Sequence, residues 1–167
     1  LTEGKMKVST VLSLKIPELE LLQIATSLEA HSEHPLARSI LEYASGKGIQ
    51  PQGVSETKAI PGKGMRAKIG ATTYWAGNRK MLAESGLIMD MATQAALTAL
   101  ESEGKTTIAI GNEKEILGFI GIADTIRPES VEAIALLRKA GIKRIVMLTG
   151  DHSTVAHAIG AELGILP

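Results

Sequence analysis

The first group in this chain whose type and setting could do chemistry is a histidine. It lies in Ser32-Glu33-His34-Pro35-Leu36, between two stretches of helical apolar spacing. Proline suits the first position of a helix, where its missing N–H costs nothing, and it drives the residue before it out of the α conformation. His34 is therefore expected in a sharp corner, its ring held by local geometry. Glu29, near the end of the preceding helical stretch, comes within reach of the same corner. Further on, Gly62 and Gly64 flank a lysine, and Gly77 precedes Asn78. Bare glycyl backbone can approach a flat ligand closely. An imidazole face can stack, and a carboxylate can accept from an exocyclic amine. Glu29, His34, Gly62, Gly64, Gly77 and Asn78 together would suit a purine. The plainer reading makes the glycines hairpin turns, Asn78 a helix cap and His34 a capping residue. On spacing alone the plainer reading has the stronger claim.

A second polar cluster, Thr149-Gly150-Asp151, follows a short apolar run and precedes a helical pattern. A hydroxyl with free N–H groups at a helix start makes an anion site, although a simple helix cap explains it equally. Asp124, with Arg127-Pro128-Glu129 beyond it, is a third polar site whose plain reading is a solvated turn. There is no GxxxxGK[ST] phosphate cradle. Gly62-Lys63-Gly64 is no dinucleotide fingerprint either, because position 67 is alanine and the context is turn-like. His31, His152 and His157 lack the spacing and the third ligand of a metal site.

These groups must be positioned by an α/β framework. Pro17–Ala30 and Pro35–Ala44 carry apolar residues at helical spacing, and Gly46-Lys47-Gly48 supplies a stop. Lys5–Leu14 reads as an extended lead-in strand. Val54–Ile60, Met65–Ile69 and Thr72–Ala76 read as strands joined by Pro61-Gly62-Lys63-Gly64 and Gly70-Ala71. Asn78 caps a short helix through Ala83, and Asp90–Glu103 is a longer one. Thr106–Ile110 and Ile116–Ala123 form a hairpin. The first part is thus a mostly antiparallel sheet with flanking helices, of the α+β kind. After Ala123 the pattern changes. Pro128–Ala140 is helical, Arg144–Leu148 a strand, and Ser153–Leu163 a helix, which reads as a βα unit with polar groups at the strand's carboxyl edge. With one strand, residues 124–167 cannot bury both helices in a sheet of their own, so this tail is expected to pack on another surface or to be mobile.

Composition narrows the function classes. Acidic and basic residues balance at 18 each, so no global basic field points to nucleic acid. Trp75, Phe119, Tyr43 and Tyr74 are the only aromatics, too few for base-stacking platforms. Cysteine is absent, which removes disulfides and thiolate metal sites and suits a reducing compartment. No apolar run approaches the roughly 20 residues that span a bilayer, and no signal peptide is evident. A soluble, cytoplasmic chain is expected.

In order and wording, these motifs resemble the ATP-binding region of the heavy-metal-transporting P-type ATPases. Ser32-Glu33-His34-Pro35-Leu36 is similar to that family's SEHPL signature, with Glu29 at the matching upstream position. Gly62-Lys63-Gly64 and Gly77-Asn78 resemble its GxG and GN motifs, and Met147-Leu148-Thr149-Gly150-Asp151 its MLTGDN motif. Ala123-Asp124-Thr125-Ile126-Arg127 resembles the segment returning to its phosphorylation domain, and Leu1-Thr2-Glu3-Gly4 the end of DKTGTLTEG. The resemblance spans essentially the whole chain.

It implies a lead-in over residues 1–10, an ATP-binding domain over 11–122, and a partial phosphorylation domain of haloacid-dehalogenase type over 123–167. It implies that Glu29, His34, Gly62, Gly64, Gly77 and Asn78 form the adenine and ribose pocket. Thr149 would contact the transferring phosphoryl group, Asp151 would share its loop, and Asp124 would lie near the hinge between domains. The implied ligand is ATP, with magnesium held mostly by residues outside the chain. The implied partners are the phosphorylation, actuator and membrane domains of the same pump, and the implied setting is a cytoplasmic domain of an integral membrane protein. Neither the acceptor aspartate nor the GDGxND signature is among these residues, and the MLTGDN asparagine is His152 here. The chain is therefore expected to bind ATP without completing the reaction. The alternatives are a phosphatase of the haloacid dehalogenase type, which lacks an aspartate within residues 1–15 to serve as nucleophile, and a non-catalytic interaction module.

Overall fold

A computed structural model describes residues 1–148 and 153–165. Six antiparallel strands make one sheet: β1 (Thr2–Ser13), β2 (Ser55–Ile60), β3 (Gly64–Ile69), β4 (Thr72–Gly77), β5 (Thr106–Asn112) and β6 (Ile116–Ile126). Their spatial order is β1-β6-β5-β4-β3-β2. Helices α1 (Glu18–Glu29) and α2 (Pro35–Gly46) follow β1, α3 (Arg79–Glu84) and α4 (Met91–Ser102) follow β4, and α5 (Pro128–Lys139) and α6 (Ser153–Glu162) close the described chain.

The sheet is covered on both sides, and the two-residue period of its strands decides what goes where. Ile108, Ile110, Ile120 and Ile122 pack with Met65, Ala67 and Ala76 against Leu21, Leu22, Ile24 and Leu28 of α1 and Ile40 of α2. Trp75, Ala109 and Phe119 instead join Met81 and Leu82 of α3 and Leu97 and Leu100 of α4. Two-sided burial explains why β5 and β6 read as nearly continuous apolar runs. Side-chain caps start three of the helices, α2 (by His34), α3 and α4. Asn78 accepts from the N–H groups of Lys80 and Met81, and Asp90 from that of Thr93. At the other end of the sheet, β2 is exposed along its length except for Ile60.

The N-terminal strand reaches further than the expected lead-in. β1 pairs with β6 from Thr2 opposite Ile126 to Ser13 opposite Gly118. Asp124, read as part of a solvated turn, accepts from the Lys5 N–H at 2.9 Å within the irregular stretch of that ladder. Arg127 extends the tie, its Nε donating to the Thr2 carbonyl at 2.7 Å.

The expected strand over Arg144–Leu148 does not form. Val146 is 74% and Leu148 100% exposed, and among the described residues the segment pairs with no strand. A β run gains its hydrogen bonds only from a neighbour, so apolar composition alone does not make one. Instead Ile134 of α5 closes a small cluster with Leu163 and Ile165, joined by Ile126, Ile145 and Ile159. Thr149, Gly150, Asp151 and His152 lie outside the described residues.

Candidate functional site

His34 occupies the corner between α1 and α2 with extended backbone angles, φ −67° and ψ 139°. Its Nδ1 accepts from the Leu36 N–H at 3.2 Å, and its own N–H donates to the Ser32 hydroxyl at 3.4 Å. The imidazole is therefore the N-cap of α2, followed by Pro35 at the first helical position. Capping spends one ring nitrogen and fixes the ring plane, leaving Nε2 and the ring face for another partner.

Glu29 ends α1 and is only 9% exposed. Burial pushes its carboxyl above the usual range, while the Ser32 hydroxyl and the nearby His34 ring oppose that shift less strongly. The C-terminal end of a helix carries partial negative charge, which further disfavours a carboxylate there. An acid kept this dry at the end of a helix costs stability unless something offers it a proton or a donor.

The glycines serve the fold in different ways. Gly64 has φ +152° and pairs with Gly77 across β3 and β4. A Cβ at Gly64 would sit 2.1 Å from the Ala76 carbonyl oxygen, and one at Gly77 would sit 2.5 Å from the Lys63 carbonyl oxygen. Both are required by close backbone approach. Gly62 has φ +70°, but a Cβ there meets nothing within 4 Å. Its need is conformational only. Asn78 binds the turn to α3: its Nδ2 donates to the Gly62 carbonyl at 2.8 Å, and its main-chain N–H to the Lys63 carbonyl at 2.8 Å.

All six residues singled out in the sequence line one cleft of about 490 Å³. Its lining comes from the α1–α2 corner, β2, the β2–β3 turn, β3, the end of β4 and the start of β5. Sequence reasoning did not assign Lys63, Met65, Thr57, Ala59 or Ile108 to a site, and all of them line this cleft. Thr57 and Ala59 follow the strand period, a signal available in advance had the face of β2 been known. The wall mixes aliphatic side chains such as Leu36, Ile60, Met65 and Ile108 with hydroxyl, imidazole and glycyl groups, and carries one acid, Glu29, and one Lys or Arg, Lys63, among the described residues. A flat, mostly apolar ligand bearing an amine and an anionic tail matches that lining. A second, more open hollow of about 650 Å³ lies by Leu1, Arg127 and Ile134 and includes none of the six. Among the described residues no three His, Cys, Asp or Glu side chains converge to hold a metal ion.

Comparison with known proteins is consistent along the whole chain. The family profile for haloacid dehalogenase-like hydrolases matches residues 1–167. A copper-exporting P-type ATPase B of Archaeoglobus fulgidus is 42% identical, over 99% of this chain and 23% of its own length. The crystal structure of a zinc-transporting PIB-type ATPase in the E2.Pi state superposes with a TM-score of 0.87 at 30% identity, over 99% of this chain and 26% of that one. The catalytic domain of a CPx-ATPase, solved to follow conformational changes upon nucleotide binding, gives a TM-score of 0.69 at 26% identity, over 99% of this chain and 56% of that one. The chain thus spans about a quarter of the length of the transporters it matches.

Proposed function

The chain belongs to the haloacid dehalogenase-like hydrolase family and matches heavy-metal-transporting P-type ATPases along its whole length, and from that premise we propose that its cleft binds ATP. Residues 11–122 are assigned to the nucleotide-binding unit, and residues 1–10 and 123–167 to the neighbouring phosphorylation unit. The β1–β6 ladder, crossing both boundaries, is the two-stranded link between them.

The adenine lies against the His34 ring, whose plane the α2 cap has already set. Its exocyclic amine donates to Glu29, adding a donor to a carboxyl that burial holds above its usual range. Backbone of the Gly62–Gly64 turn and the Gly77–Asn78 corner flanks the ribose. Binding of this kind supplies anchoring energy and orientation; bond breaking belongs to an aspartate that is not in this chain. In the whole cytoplasmic assembly of a metal pump, closing the nucleotide unit onto that aspartate would bring the γ-phosphoryl group in line for attack, so the contribution here is positioning. Magnesium, which would neutralise phosphate charge in that step, finds no cluster of three candidate ligands among the described residues. Thr149 and Asp151 remain assigned to the phosphate-facing loop on motif resemblance.

One observation carries the reading: residues chosen for purine chemistry, from four separate segments, line a single cleft. Calorimetric titration with ATP tests it using two substitutions at one position. His34→Ala removes both ring and cap, whereas His34→Asn keeps a capping side chain and removes the ring. ATP affinity falls in both, and thermal stability falls mainly in the alanine variant. Unchanged affinity in His34→Asn would overturn the assignment.

A further inference from the structure

The cleft contains a cation that adenine recognition does not use. Lys63 lies between Gly62 and Gly64 in the β2–β3 turn, and it is the one Lys or Arg among the described residues lining the cleft. Its ammonium is held by both carboxylate oxygens of Glu84, the last residue of α3, at 2.7 Å each. Both side chains are partly solvated, at 31% and 56% exposure, so the pair is weak and exchangeable.

An ATP whose base lies by His34 must lead its phosphates out of the cleft. Glu29 repels them, and a P-loop is absent from the chain. The turn carrying Lys63 is tied to Asn78 through two main-chain carbonyls, those of Gly62 and Lys63, so the base of the lysine side chain is fixed while its long stem can swing. Accordingly, we propose that Lys63 is the phosphate-binding residue of this site and that Glu84 is its counter-ion when no nucleotide is bound. On this account, which rests on the ATP reading above, a polyphosphate displaces Glu84 from the ammonium. Net selectivity for phosphate number then reflects the difference between two charge pairs. Glu84 weakens polyphosphate binding by competing for the lysine.

Titrating adenosine, AMP, ADP and ATP in magnesium-free buffer tests this, because adenosine reports the base pocket alone. Wild type is expected to bind ATP more tightly than adenosine. Lys63→Gln is expected to reduce ATP affinity about three- to fivefold, the size typical of a partly solvated ion pair, and to leave adenosine unchanged. Glu84→Gln is expected to tighten ATP by a similar factor and also to spare adenosine. High salt should erase both effects. If Lys63→Gln keeps the wild-type ratio of ATP to adenosine affinity, the lysine assignment is wrong while the base pocket stands. If wild type binds neither adenosine nor ATP, the pocket assignment itself fails. Retained adenosine binding also certifies that each variant is folded.

Discussion

Substituting alanine at Gly62 and at Gly64 separates two roles that a glycine-lysine-glycine motif conceals. At Gly64 the added Cβ would lie 2.1 Å from the Ala76 carbonyl oxygen and 2.5 Å from the Gly77 Cα, more than half an ångström inside even a tight contact. Both neighbours are backbone, so relief requires parting β3 from β4 where Gly64 opposes Gly77. The backbone there also sits at φ +152°, which an L side chain rarely adopts. Steric overpacking of about 1–3 kcal/mol and dihedral strain of about 1–3 kcal/mol then sum to roughly 2–6 kcal/mol. At Gly62 no atom stands within 4 Å of the added methyl, and only the φ of +70° is penalised, at about 1–2 kcal/mol. Equilibrium urea unfolding reads the difference directly. Its probe is the fluorescence of Trp75, the chain's single tryptophan, buried on β4 with its Nε1 donating to the Asn112 carbonyl at 3.0 Å. A typical domain holds only about 5–15 kcal/mol in total, so Gly64→Ala should lie close to its unfolding threshold. Equal losses at the two positions would refute the argument, because they would mean the β3–β4 pair yields without cost.

Four further outcomes follow from the same geometry. Gly62→Ala should cut ATP affinity by more than its stability loss explains, since no protein atom opposes its methyl; calorimetry beside a melting curve compares the two. Glu29→Gln should be more stable than wild type at neutral pH. The buried carboxyl titrates above the usual range when folded, so its favourable protonated state is complete in acid and is lost as pH rises through that folded value. The melting-temperature gain of Glu29→Gln should accordingly grow from acid to neutral pH, and a gain independent of pH would contradict the burial argument. Asp90 behaves oppositely: hydrogen bonds from Thr93 hold its carboxyl below the usual range. Its contribution is present above the unfolded value and fades as pH falls through the folded one, so Asp90→Ala should destabilise at neutral pH and converge on wild type in strong acid. Phe119→Ala should cost about 3–5 kcal/mol in urea unfolding, because the ring is fully buried in the α3–α4 face of the core.

Most elements were legible because their signals are local. Pro35, Asn78 and Asp90 each start a helix where capping chemistry places it, and the β5–β6 hairpin follows from two apolar β-branched runs about a short polar turn. Two misjudgements share one cause. The polar start of β1, Thr2-Glu3-Gly4, has little strand character of its own and is held to β6 by the Thr2–Ile126 pair and, just beyond it, by the Lys5 N–H to Asp124. The apolar Arg144–Leu148 has the character and finds no partner strand among the described residues. Strands are cooperative objects whose stability lies in the neighbour, and a neighbour more than a hundred residues away leaves no mark on the local pattern.

The site shows the same division more sharply, and it removes a false choice. Reading His34 as a cap and reading it as a ligand-facing ring looked like rivals in the sequence, yet the α2 cap is what orients the ring beside the cleft. The same holds for Asn78, whose amide caps α3 while it ties down the glycine turn. Structural duty therefore need not compete with the proposed binding role at these positions, since each group is ordered before a ligand arrives. Lys63 differs. Its ammonium pairs with Glu84 on another element, so no local pattern pointed to it. On the proposed reading, a base pocket ordered by helix caps is joined to a phosphate contact left mobile. Anchoring and delivery are then separable functions, and the His34→Asn and Lys63→Gln variants should divide them cleanly in one titration series.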